Sequence, residues 1–269
     1  MVTSRSRPFA SLGLLLPALV TGAALFVAPR LHVAPSAGLI LASATAVLPA
    51  IAALRVACMV SPKATLPALV GVLSAVVLAA LYAHGLTAPW LLPVQNLALV
   101  CVGHAVGNAI GKRIEHPGHV LPAMVVAAAA DIASVLHPSG PSHAIAASDR
   151  ALGALALATP VPGDAGITFV LGAGDLVFAA LLLAVAVRHG VSPSRVALLV
   201  LVGIGAALAC ASVVGVAVPA LVPIGLITVA FVPPFRRLAP RDRATAIVAI
   251  VLVLCVLGGL FVRARLGGG

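Results

Sequence analysis

Apolar runs of about 20 residues recur along the whole chain, and they limit its fold more than any other feature. A helix needs that length to cross a hydrocarbon core of ~30 Å, because each residue rises about 1.5 Å. Of the 269 residues, 62% are hydrophobic and only 8% are charged, and the mean hydropathy is +1.23. A soluble domain of this length would carry far more polar surface. The runs do not alternate apolar and polar residues, as the strands of a membrane β-barrel would. The expected fold class is therefore all-α: a polytopic integral membrane bundle of about nine helices.

The expected spans are 9–28, 36–60, 65–83, 88–111, 118–136, 166–187, 195–215, 217–234 and 244–262. The apolar block 195–234 would reach about 60 Å as one helix, so it must break, and Gly215 and Pro219 mark the break. The first run follows Arg5 and Arg7 and exceeds the ~7–15 apolar residues of a signal peptide. It is read as an uncleaved first span. Residues 1–117 then form a scaffold of about four spans. Residues 118–234 hold the groups that can carry chemistry, and 235–269 form a basic loop and a last helix. The longest connection, 137–165, has Pro and Gly at both ends and is expected to hold a short amphipathic helix around 144–158.

The formal net charge of +10 sits mostly between the runs, which points to membrane orientation rather than to nucleic acid. With the N-terminus inside, the inner segments carry Lys63, Lys112, Arg113, Arg188, Arg195 and the arginines of 236–243, as well as Arg5 and Arg7. The outer segments carry only Arg30, Arg150, Arg263 and Arg265. Arg55 can snorkel at the inner end of the second span. The expected orientation is N-terminus in and C-terminus out. Ala/Val/Arg-rich usage and compact connections suggest a prokaryotic plasma membrane.

Six residues are acidic, and four of them, Glu115, Asp149, Asp164 and Asp242, fall between spans. Asp131 and Asp175 fall within spans, where an ionised carboxylate costs about 2.5–3.5 kcal/mol on insertion scales. Asp131 is expected roughly 8 Å from the outer end of the fifth span, and Asp175 roughly 12–14 Å into the sixth. Consecutive antiparallel spans would let the two carboxyls face each other. Two carboxyls sharing a site do not easily both ionise, which suits acid–base hydrolysis. Paired intramembrane carboxylates equally suit an ion- or proton-coupled transporter or channel. Gly172 and Gly174 clear space beside Asp175, either for a cavity or for helix packing.

The segment "LGAGDLVF" around Asp175 resembles the G-x-G-D motif of the presenilin and signal peptide peptidase superfamily of intramembrane aspartyl proteases. "DIASVLHPSGP", from Asp131, is similar to the presenilin segment that starts at its first catalytic aspartate. "VPALVP" contains Pro219-Ala220-Leu221, similar to the family's Pro-Ala-Leu motif. The three occur in family order within about 118–234. The resemblance implies that Asp131 and Asp175 form the catalytic pair. It implies that Gly172, Gly174, Pro219, Ala220 and Leu221 shape the site and meet substrate. It further implies that the substrates are transmembrane helices of other proteins, cut without metal or organic cofactor. Ala130 stands where the family usually has Tyr, so an inactive scaffold is a further alternative. Presenilin's large cytosolic loop has no counterpart here.

Other signals carry less. Gly103, Gly107 and Gly111, spaced four apart, form a ridge for helix packing, with His104 buried beside it. Gln95 and Asn96 are expected to bond between helices. Glu115, His116 and His119 lack the His-Glu-x-x-His spacing of zinc proteases, and Ser139 lacks a nucleophile elbow. Cys58, Cys101, Cys210 and Cys255 show no metal-like spacing, so no metal site is expected.

Overall fold

Proline opens many of the helices, where its missing N–H would have no partner anyway and its fixed φ suits the first turn. The computed structural model describes residues 7–60, 65–85, 88–136, 140–164, 166–214 and 218–266. The first four helices are α1 (Arg7–Val27), α2 (Pro35–Met59), α3 (Thr65–His84) and α4 (Leu92–Gly111). Then come α5 (Val120–Leu136), α6 (Pro141–Ala146) and α7 (Asp149–Leu155). An antiparallel hairpin of β1 (Ala156–Pro160) and β2 (Ile167–Gly172) leads straight into α8 (Ala173–Arg188). The chain ends with α9 (Pro193–Val214), α10 (Leu221–Phe231), α11 (Pro233–Arg236) and α12 (Pro240–Leu266).

Among the described residues the protein is mostly helical. Among the described residues, six stretches are long and apolar enough to cross a membrane: Gly13–Arg30, Pro35–Met59, Leu66–His84, Pro89–Gly111, Pro117–Val135 and Pro193–Val213. This is a multi-pass membrane architecture.

The expected helix over 166–187 needs correction. Its first third is strand β2, and only 16 residues are helical. Ile167, Thr168 and Phe169 are β-branched or aromatic, and they pair with β1 instead. The connection before it is also more structured than a loop with one helix. It holds α6, α7 and then β1. The hairpin turns through Gly163 at φ +81°, a left-handed conformation that glycine adopts without strain. Val170 is skipped in the pairing, a bulge that re-aims the end of β2. The break in 195–234 falls as expected before Leu221, with Pro219 just ahead of it. Gly215, also expected at the break, lies outside the described residues.

The chain divides into two compact units. The first joins Met1–Gly111 with Ser148–Val187. Its centre is α8, where Leu176 and every residue from Ala179 to Ala186 are buried. The glycine ridge of α4 lies along α8, as its spacing suggests. A Cβ at Gly103 would lie 2.8 Å from Leu176 Cβ, and one at Gly107 would strike Val177 O and Ala180 Cβ. The hairpin packs on α2 and α4.

The second unit joins Lys112–Ala147 with Arg188–Gly269. Here α10 packs between α9 and α5, and α12 lies on α5. Gly203 admits α10 so closely that a Cβ there would lie 2.6 Å from Ile224 Cα. Gly225 similarly receives Met124 of α5.

Candidate functional site

Asp175 stands in the first unit as the third residue of α8, not deep within a continuous helix. The strand that replaces the first third of the expected span accounts for the difference. The backbone N–H of Gly172 donates to Asp175 Oδ2 at 3.1 Å. That is the return half of a capping box: the third helical residue reaches back to the amide ahead of the first turn. A carboxylate there also meets the positive end of the helix dipole. Gly172 and Gly174 are not demanded by backbone strain, since neither has a positive φ. A Cβ at Gly172 would meet Asp175 Oδ2 at an ordinary 3.5 Å. One at Gly174 would meet nothing within 4 Å among the described residues.

The hairpin that carries Asp175 is clamped from one side. Asn96 of α4 accepts from Ala158 N at 3.1 Å and donates back to Ala158 O at 2.7 Å. Its amide thus imitates a neighbouring strand along the outer edge of β1. Its second N–H donates to Thr21 Oγ1 of α1 at 2.9 Å, and that hydroxyl donates to Pro17 O. Gln95 donates to Ala156 O at 3.1 Å on the same edge. Thr159 meets Thr45 of α2 at 3.3 Å. All five residues of β1 are buried, whereas β2 is mostly half-exposed. The expectation that Gln95 and Asn96 bond between helices is thus refined: their main partner is a strand. Two adjacent amides in an apolar helix were the visible signal that a backbone needed satisfying nearby.

Asp131 stands in the second unit, in α5. Its Oδ2 accepts from the backbone N–H of Leu221 at 2.9 Å. Leu221 is the first residue of α10, and Ala220 before it has no side-chain capping bond. Asp131 therefore supplies from another helix the acceptor that an N-cap residue normally provides. The Pro219-Ala220-Leu221 segment and Asp131 are in this way brought into direct contact. One turn beyond Asp131, Ser134 Oγ accepts from Ser142 N at 3.0 Å and holds α6 against the end of α5. Ser139 lies outside the described residues.

At the start of α5 a separate polar cluster forms. His119 bonds Asp242 at 3.0 Å, and Arg241 lies 3.5 Å from the same carboxylate. The hydrogen bond from His119 is the main cause that holds the Asp242 carboxyl below its usual value. His116 caps the turn before α5 by accepting from Gly118 N. No group of three or more metal-binding side chains occurs among the described residues. In the first unit, Cys58 Sγ lies 3.7 Å from His104 Nδ1, both buried. No protein-family model, curated protein or solved structure matches this chain.

Proposed function

We propose that the protein is an intramembrane aspartyl endopeptidase that cuts transmembrane helices of other membrane proteins, with Asp131 and Asp175 as the catalytic pair. The observation that carries this reading is the bond from Leu221 N–H to Asp131 Oδ2. Two of the three segments that resemble the presenilin and signal peptide peptidase motifs, far apart in sequence, meet through it. The third supplies Asp175, oriented by the Gly172 amide.

One oxygen of each carboxyl is fixed by a backbone amide, and the other would exchange protons. One ionised carboxylate takes a proton from water, and the water oxygen attacks the scissile carbonyl. The protonated partner gives its proton to the carbonyl oxygen. The tetrahedral intermediate then breaks its C–N bond, and the leaving nitrogen takes up a proton. No metal or organic cofactor enters these steps.

A helical substrate must unwind before its carbonyl can be attacked. The hairpin suggests where the unwound stretch goes. The far edge of β1 is occupied by Asn96 and Gln95, so an added strand can pair only along β2. Such a strand would run beside the segment that leads into Asp175.

In the same reading α8, α10 and α12 complete about nine crossings. At 16 and 11 residues, α8 and α10 reach only about 24 and 17 Å. Non-helical backbone then continues both of them, and such backbone is tolerated at membrane depth only beside a polar cavity. The orientation proposed is N-terminus in, C-terminus out, in a prokaryotic plasma membrane.

The test is cleavage of a model transmembrane helix in liposomes by wild type, Asp131→Ala and Asp175→Ala. Loss of cleavage in both variants is expected. Cleavage persisting in either removes that residue from the pair, and ion transport without cleavage favours a carrier.

A further inference from the structure

We infer that one end of the second unit is a docking surface for anionic phospholipid headgroups. The inference is independent of the proteolytic reading.

Four separate stretches of chain are drawn to this end by specific contacts. His189 Nε2 bonds Ile114 O at 2.9 Å, which ties the α8–α9 turn to the segment before α5. Gly118 has no side chain, and the backbone of Arg237 lies directly against it. His119 bonds Asp242 and so ties the start of α12 to the start of α5. α11 packs on the Pro117–His119 turn.

These contacts gather exposed Arg113, Arg188 and Arg195 with the four exposed arginines of 236–243. The acidic residues in the same stretches are Glu115 and Asp242, and Asp242 is engaged by His119 and Arg241. The surface is therefore strongly positive. It is made of guanidinium groups, whose planar forks match phosphate oxygens two at a time.

The neighbouring side chains decide between a lipid and a soluble acidic partner. Leu198 lies one turn beyond Arg195 and is exposed. Phe231 precedes Arg236 and is exposed, and Ile247 and Val248 follow Arg243 on α12 with about 60% of their surface bare. The arginines thus border an apolar belt, as groups at a headgroup layer would. A soluble acidic protein or a nucleic acid would have to approach across that bare apolar border.

The helix ends agree on the level of this layer. Asp131 lies about 17 Å along α5 from Val120, and Leu221 lies about 15 Å along α10 from Phe231. Both measure the distance from the arginine end to the Asp131–Leu221 bond.

The experiment uses the full chain, reconstituted with equal phosphatidylglycerol and phosphatidylcholine and then released for native mass spectrometry of retained lipid. Wild type should retain phosphatidylglycerol over phosphatidylcholine by at least about tenfold. The preference should fall as salt rises. A variant with Arg188→Gln, Arg195→Gln, Arg237→Gln and Arg243→Gln should bring it close to parity; Arg236 and Arg241 are left alone because they also bond Ala230 O and Asp242. Thermal unfolding checks that this variant is folded. If it is not, the pairs Arg188/Arg195 and Arg237/Arg243 are replaced separately, and each should lower the preference. Equal retention of the two lipids by wild type overturns the inference, as does a preference unchanged in folded variants. Tighter capture of soluble polyglutamate or of an oligonucleotide than of phosphatidylglycerol overturns it as well.

Discussion

Asp131 and Asp175 are held in opposite ways. Asp175 takes its amide from Gly172, three residues away, as part of the turn that starts its own helix. Asp131 takes its amide from Leu221, 90 residues away, and caps a helix that is not its own. The first arrangement is local, made within a single helix start. The second exists only when α5 and α10 are packed. A carboxylate can therefore be justified structurally at both positions, and the comparison shows which changes separate structure from chemistry.

Replacing either aspartate by asparagine separates them most sharply. Asn keeps an oxygen acceptor for Gly172 or Leu221 but cannot exchange protons. Asp131→Asn and Asp175→Asn should each lower the cleavage rate by about 10²–10⁴-fold, the usual size of a general acid–base contribution. Thermal unfolding should barely move. Ala removes the acceptor as well, and Asp131→Ala should cost about 1 kcal/mol more than Asn, as lost helix caps do. If Asn and Ala unfold alike, the capping role of Asp131 is wrong.

Next in size is the clamp on β1. Asn96→Ala strands the Ala158 amide and carbonyl and should destabilise the first unit by about 2–3 kcal/mol. Faster amide exchange should appear first in β1 and β2. Exchange confined to α4 would break the claim that Asn96 acts as a strand.

Two glycines give a smaller and more diagnostic contrast. Gly107→Ala drives a methyl into Val177 O and Ala180 and should cost about 1–3 kcal/mol through overpacking. Gly174→Ala meets nothing and should leave stability unchanged or slightly higher. Cleavage lost in Gly174→Ala without lost stability would mean that the space beside Asp175 is used by substrate or water.

The smallest effect is the pH response of the α5–α12 tether. Asp242 is held below its usual value by His119, so its bond adds stability above the unfolded-state value of about 3.9. That stability declines as pH falls below this value and is gone below the lowered native one. Comparing unfolding of wild type and Asp242→Asn across that window should show the difference closing with acid.

The long helices were legible because their apolar length has one cheap solution in a membrane. The hairpin was not, since Ile167 to Leu171 is as apolar as a helix and its β-branched content only makes the strand possible. What decides is the polar partner on α4, which no local window contains. The motif residues were visible as letters. The identity of Asp131's hydrogen-bond partner was not, because it depends on α10 starting only at Leu221 and packing against α5. The packing of Gly103, Gly107 and Gly111 was readable, since spacing by four makes one face of a helix small.

The most direct test of the central claim is cleavage of a model transmembrane helix in water enriched in ¹⁸O, by wild type and by the two Asn variants. Aspartyl chemistry predicts one ¹⁸O atom in the new C-terminal carboxyl of the wild-type product, and product formed at least about 10²-fold more slowly by Asp131→Asn and Asp175→Asn. Labelled product from either variant at the wild-type rate would contradict it.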